Sequence, residues 1–250
     1  MSKWADLGNE LRTRLLLKSL PIGYRRFEKP EELDAVPNVT RLDHLFTICQ
    51  LIARARKGGL AMGAKKGDPC YSHCARIHGL VEVPEGMVQP VHGLKWVHSW
   101  EEECRRFAAM PRIPPGGAIL YAPLSAITVD PDVVLIYGDP SQIIVIIQAM
   151  QRRKFERYQF GCIGESSCAD SLADCYLTGK PKVGLPGYGE RDIAIVRDDE
   201  LALALPPAYL EQALEGLREL KIVYPFSPVG INLNLKPILH GHYPDDPEFM

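Results

Sequence analysis

Seven cysteines, at positions 49, 70, 74, 104, 162, 168 and 175, are the residues of this chain with the most chemistry to offer. Their number is odd, and no charged-then-apolar leader opens the chain, which argues for reduced thiols in the cytoplasm rather than a disulfide framework. Cys70 and Cys168 lie 98 positions apart, and each follows residues that read as a helix start. Asp68-Pro69 precedes Cys70; Ser166-Ser167 precedes Cys168. Asp and Ser cap helices, and proline suits the first helical position. A cysteine at the second position faces unpaired backbone N–H groups and the positive end of the helix dipole, which favours thiolate. Thiolate is the form that ligates soft metals or attacks electrophiles.

The elements that must bring these sulfurs together follow from hydrophobic periodicity. Helices are expected over residues 4–17, 43–56, from 68 to Gly79, 100–110, after Asp139-Pro140, from Ser166, and 207–220. Strands are expected at 21–27, 59–64, 94–98, 118–123, 133–137, 157–162, 193–196 and 201–205. Loops are expected at 84–92 and over the Gly-rich run 179–191, with a Pro/Gly break at 111–117. A shift of 98 residues overlays 47–80 on 145–178 without a gap, matching Gln50 with Gln148 and Cys70 with Cys168. The reading is one α/β (or α+β) domain over 1–250, made of two similar half-domains from an internal duplication. The halves run over 20–113 and 117–223, with a tail at 224–250, and a pseudo-twofold axis is expected between them.

The overlay also sorts the other thiols. Cys49, Cys74, Cys162 and Cys175 meet Ile147, Leu172, Ala64 and Ile77. Apolar counterparts suggest buried packing positions. Cys49 nevertheless sits on a helix expected beside the one opened by Cys70. Cys49, Cys70 and Cys168 therefore form a candidate thiolate set for an iron–sulfur cluster, leaving one iron open to a substrate. C-x-x-C spacing, the signature of structural zinc, is missing. Gln50 and Gln148 are candidate contacts to cofactor or substrate. Lys180, Gly187, Gly189 and Arg191 would form a loop over it.

Other motifs contribute little. Residues 58–65 approach a phosphate-binding loop, but alanine separates the last glycine from the lysine and no Ser or Thr follows. Ser125 and Ser141 lie in no nucleophile elbow. His240 and His242 are spaced as a metal pair, although a solvated tail is their simpler reading. With 29 basic and 31 acidic residues the net charge is −2, giving no general attraction to nucleic acid. No apolar run approaches the ~20 residues needed to span a bilayer, so no membrane role is expected.

The stretch 131–148, Cys168-Ala169-Asp170, Thr178-Gly179-Lys180-Pro181, and Gly187-Tyr188-Gly189 with Arg191 together resemble the domain-of-unknown-function 169 family. The likeness runs from about Pro21 to Leu220 and takes in Cys49-Gln50 and Cys70. It implies a shared fold and cysteine pattern, and no particular activity. The expected function is a cytoplasmic iron–sulfur protein doing redox or Lewis-acid chemistry on a small organic molecule, with a redox partner or a second copy as possible associates. Two other classes compete: a non-catalytic module holding a small anion or cofactor at its helix starts, and a metal-free thiol enzyme.

Overall fold

A computed structural model describes residues 2–82, 97–220 and 224–225. The loop expected at 84–92, most of the strand at 94–98, nearly all of the tail, and His240 and His242 lie outside the described residues. Within them the chain forms a mixed α/β fold around one seven-stranded sheet. The strands are β1 (Ile22–Phe27), β2 (Val39–Thr40), β3 (Ala61–Lys65), β4 (Ala118–Pro123), β5 (Val133–Gly138), β6 (Lys182–Gly184) and β7 (Leu201–Leu205). Their order is β2-β3-β4-β1-β5-β7-β6. Every neighbouring pair is antiparallel except β2 and β3.

Strands β4, β5 and β7 are apolar throughout because both faces are covered, while β1 between β4 and β5 ends in Arg25-Arg26-Phe27. On one face Tyr24, Tyr121, Val133, Leu135, Tyr137 and Ala204 join Ile48, Leu51, Ile52, Cys74, Cys168 and Leu172 in one core. These come from α3 (Ile48–Gly58), α4 (Ser72–Ile77) and the segment after Cys168, where a π-helical turn (Ala169–Ala173) runs into α7 (Asp174–Thr178). On the other face Leu120, Val134, Ile136 and Leu203 meet Leu11, Ile146 and Leu214. Those belong to α1 (Lys3–Leu15), α6 (Pro140–Gln151) and α9 (Pro207–Glu219). The short α2 (Pro30–Asp34), α5 (Trp100–Ala109) and α8 (Tyr188–Ile193) complete the described helices.

Local chemistry fixes several starts as expected. Asp139 caps α6 by accepting the Gln142 N–H at 2.9 Å, while the Gln142 side chain accepts the Asp139 N–H at 2.9 Å. Several expectations fail, among them the loop at 179–191, which holds β6 and the start of α8. Residues 155–163 form neither strand nor helix, so the strand at 157–162 is absent. The strand at 193–196 is replaced by the end of α8 and an irregular turn, with Ile195 at φ 54. The overlay by 98 residues also pairs α3 with α6, which lie on opposite faces, while the segments after Cys70 and Cys168 share a face. No single rotation superposes both pairs.

Candidate functional site

Thr47 opens α3. Its hydroxyl accepts the Gln50 N–H at 3.3 Å, and the Gln50 side chain accepts the Thr47 N–H at 3.0 Å. Gln50, expected at the cofactor, is therefore committed to capping its own helix. Cys49 occupies the second position of α3 and lines a cavity together with Cys74 of α4. Within this pair the Cys49 hydrogen bond and the Ile48 N–H hold the Cys74 thiol below its ordinary range despite burial. Cys49, left as the donor and half-buried, is pushed well up.

Cys70 does not join them. Asp68 is not a helix cap: its carboxylate accepts the Lys65 N–H at 2.8 Å and pairs with Arg41. The chain then stays extended, Cys70 forms a parallel bridge with Phe46, and α4 begins only at Ser72. The Cys70 thiol donates to the Tyr71 carbonyl at 3.7 Å, and burial pushes it up. Cys168 sits as expected, in the first helical turn after Ser166, whose carbonyl accepts the Ala169 and Asp170 N–H groups at 3.0 and 3.2 Å. Burial, then the Glu190 charge, pushes Cys168 well above a normal thiol, so the expected thiolate is not found there either. Desolvation there outweighs both the helix start and the backbone N–H of Cys168 itself.

Cys49, Cys74 and Cys168 line one cavity of about 280 Å³. Thr47, Tyr71 and His73 form the wall on the α3–α4 side; Glu165 and Ser166 lead into Cys168. Tyr188, Gly189, Glu190 and Ile193 of α8 cover it. His73 Nε2 lies 3.1 Å from the Ser166 hydroxyl and 3.8 Å from Glu165 Oε1. Glu165 Oε2 in turn meets Arg106 Nη1 at 2.6 Å, and Arg106 also pairs with Glu103 at 2.6 Å. Glu190 is buried and accepts the Gly187 N–H at 2.9 Å, the Ser167 N–H at 3.4 Å and the Ser167 hydroxyl. Burial still raises its carboxyl above the usual range. No Lys or Arg side chain is among the lining residues.

The remaining sequence candidates divide. Gly189 lines the cavity and Gly187 starts the helix that covers it, so part of the Gly-rich run does lie over the site. A Cβ on Gly187 would stand 2.5 Å from the Glu165 carbonyl oxygen, which explains glycine there. Arg191 is tied to the Pro186 carbonyl at 3.1 Å and the Arg197 carbonyl at 2.5 Å. Lys180 is exposed and holds Glu156 at 2.6 Å and the Tyr209 hydroxyl at 3.3 Å. Gln148 is exposed on α6, across the sheet. Cys74, His73, Glu165 and Glu190 are site residues the sequence reading passed over. Among the described residues, no three His, Cys, Asp or Glu side chains close on a single point as one metal ion requires.

On the same face of the sheet, Tyr24, Tyr121 and His78 form a buried aromatic cluster, with Tyr121 Oη 3.1 Å from His78 Nδ1. Burial, then the His73 charge, pushes His78 down to about 3 from its ordinary 6.5. The unfolded chain therefore binds a proton near pH 6.5 that the folded chain refuses until about 3, so stability falls as pH drops through that window. The expected slope is about 1.4 kcal/mol per pH unit from this residue. Urea unfolding of the wild type and His78→Leu between pH 7 and 4 checks it. Parallel pH dependences would show that His78 is not the cause.

The chain matches the model of the domain-of-unknown-function 169 family, described as "Uncharacterised ArCR", over residues 10–216. It is 31% identical over 108 residues to an uncharacterised protein of Methanocaldococcus jannaschii, a match taking in 43% of this chain and 46% of that protein, under half of each. No solved structure matches. With the family model spanning all three cavity cysteines and the helix that covers them, the chain belongs to the domain-of-unknown-function 169 family.

Proposed function

We propose that this is a cytoplasmic iron–sulfur protein whose cluster is held by Cys49, Cys74 and Cys168 and which acts on a small organic molecule. The observation that carries the reading is three sulfurs from separate segments lining one cavity. No three His, Cys, Asp or Glu among the described residues are placed for a single metal ion, so the reading stands on the shared cavity alone. A volume of about 280 Å³ is at the small end of ligand pockets, room for a compact cluster with a small molecule beside it. Bound iron would draw the three thiols into the thiolate form that burial now opposes in Cys49 and Cys168. When bound, the cluster would supply redox or Lewis-acid chemistry. His73 and Ser166, and Glu165 with Arg106, would hold or move protons on its rim. Glu165 and Glu190 make the lining acidic, which disfavours the anion-binding alternative.

The strand order supports a doubled ancestry with a different pairing from the 98-residue overlay. Leaving out the two-residue β2 at the edge and counting β4 with the first half, the sheet reads outward from the centre β1, β4, β3 on one side and β5, β7, β6 on the other, all antiparallel. An axis along the sheet normal between β1 and β5 keeps faces. Such an axis would relate α3 to the helix after Cys168 and make Cys49 and Cys168 counterparts.

Oxygen-free purification tests the function. The expected result is a brown protein with stoichiometric iron and acid-labile sulfide, both lost in Cys49→Ser, Cys74→Ser and Cys168→Ser and kept in Cys70→Ser and Cys104→Ser. A colourless wild-type chain that takes up neither after anaerobic reconstitution would overturn the proposal, as would full iron in Cys74→Ser.

A further inference from the structure

We infer that α8 is a lid over the cavity, pivoting on its far end and latched shut by Glu190 on Ser167. Tyr188, Gly189, Glu190 and Ile193 of α8 line the cavity, yet the helix buries no apolar side chain. Of its six residues only Glu190 is buried, while Tyr188 and Ile193 stand exposed. Such a segment gives up little hydrophobic burial when it lifts, so it belongs to the part of a fold that opens most readily. The lid presupposes that this cavity is a binding site, as proposed above, and does not require the cluster.

The ties at the two ends differ. At one, Glu190 accepts the Ser167 N–H at 3.4 Å and the Ser167 hydroxyl, which joins the cover to the segment carrying Cys168. The same carboxylate accepts the Gly187 N–H at 2.9 Å, so the latch residue also builds the first turn of its own helix. At the other end, Arg56 of α3 donates to the Ala194 and Ile195 carbonyls at 3.3 and 2.7 Å. Arg56 is itself held by Glu200 at 3.2 Å, so this end is pinned to the body. Between the two, Arg191 donates to the Pro186 carbonyl before the helix at 3.1 Å and to the Arg197 carbonyl after it at 2.5 Å. Braced in this way, the segment moves as one piece. Breaking the Glu190–Ser167 contact lets it swing about the turn that Arg56 holds, and a small molecule enters through the opened state.

The test labels the full chain, stripped of iron with a chelator, with two reagents that share one reactive group. These are N-ethylmaleimide and a maleimide carrying a bulky dye. The chemistry at sulfur is the same for both, so the ratio of their rates reports access and not ionisation. Peptide mass spectrometry with fragmentation follows Cys168 in the cavity, the exposed Cys162, and Cys175, buried and not among the lining residues. In the wild type the bulky reagent should lag at Cys168 relative to Cys162. Losing hydrogen bonds to a charged group shifts an equilibrium by about tenfold or more, so Glu190→Ala should raise the bulky-to-small ratio at Cys168 by about that factor. Cys175 should stay unlabelled. Ser167→Ala removes the hydroxyl from the body side and keeps the Glu190–Gly187 bond, so it should raise the ratio by a smaller factor with α8 still formed. An unchanged ratio in either variant would overturn the lid, as would equal ratios at Cys168 and Cys162 in the wild type. So would labelling of Cys175 in step with Cys168, because the whole fold would then be opening. Iron and sulfide, measured before stripping, report on the cluster separately, so lid and cluster can fail independently.

Discussion

Arg56→Ala is expected to destabilise the fold by about 3–5 kcal/mol, the cost of leaving a buried charge without its partner. The Arg56 side chain is 0% exposed and lies 3.2 Å from Glu200, itself 3% exposed. Its other amine group donates to the Ala194 and Ile195 carbonyls at 3.3 and 2.7 Å, and the guanidinium stacks 4.4 Å over the Tyr137 ring. Alanine would strand the Glu200 carboxylate with the Arg197 N–H at 2.9 Å and Lys57 at 3.9 Å, and would open two carbonyl acceptors. Geometry also links this pair to the cavity, because it ties the last turn of α3 to the segment leaving α8. Equilibrium urea unfolding measures the loss. The double variant Arg56→Met/Glu200→Leu should recover most of it, since an apolar pair of similar volume leaves no orphaned charge. A loss under about 1 kcal/mol for Arg56→Ala would mean the pair is already hydrated or dispensable.

Gly79→Ala is expected to cost about 2–5 kcal/mol. Gly79 ends the α4 region at φ 70, a left-handed conformation costing an L side chain roughly 1–2 kcal/mol. A Cβ there would stand 2.3 Å from the Pro114 carbonyl oxygen and 2.9 Å from that of Ile113, both backbone atoms unable to swing aside. That overpacking adds about 1–3 kcal/mol. Gly67→Ala separates the two causes: Gly67 has φ 94 with nothing within 4 Å of the added carbon, so it carries the conformational cost alone. Thermal and urea unfolding of both variants should show Gly79→Ala clearly the worse. Equal losses would mean that the strand of contacts from 113 to 116 yields freely. Because α4 carries His73 and Cys74, the Gly79 variant should also disturb the cavity.

Much of the scaffold was legible in residue pattern. The apolar runs of β4 and β5, the Asp139-Pro140 start of α6 and the amphipathic α3 and α9 all appear close to where periodicity places them. The site was half legible. Cys49 and Cys168, picked out from an amphipathic helix pattern and a Ser-led helix start, both line the cavity. Cys70 misled because Asp-Pro mimics a helix start, and only the fold shows the Asp68 carboxylate spent on Lys65 and Arg41. Cys74 was dismissed on an apolar counterpart, Leu172, in an overlay that does not hold as one rotation. The Glu165–Arg106 and Glu190–Ser167 contacts join segments 59 and 23 residues apart in sequence, and nothing local announces them. A signal did exist for Cys74: it lies four residues after Cys70 and directly after His73.

The widened turn after Cys168 has a geometric outcome of its own. Cys168 and Cys175 are seven residues apart, and at 3.6 residues per turn such positions nearly eclipse on a regular helix. A continuous α-helix would therefore aim both sulfurs the same way. The i to i+5 bond from the Asp174 N–H to the Ala169 carbonyl lets the backbone rotate less per residue between them. One sulfur is thus dealt to the hollow and the other to the packed interior, where burial pushes the Cys175 thiol up to about 12. A single loosened coil lets two identical side chains serve opposite ends, one kept reachable and one kept inert.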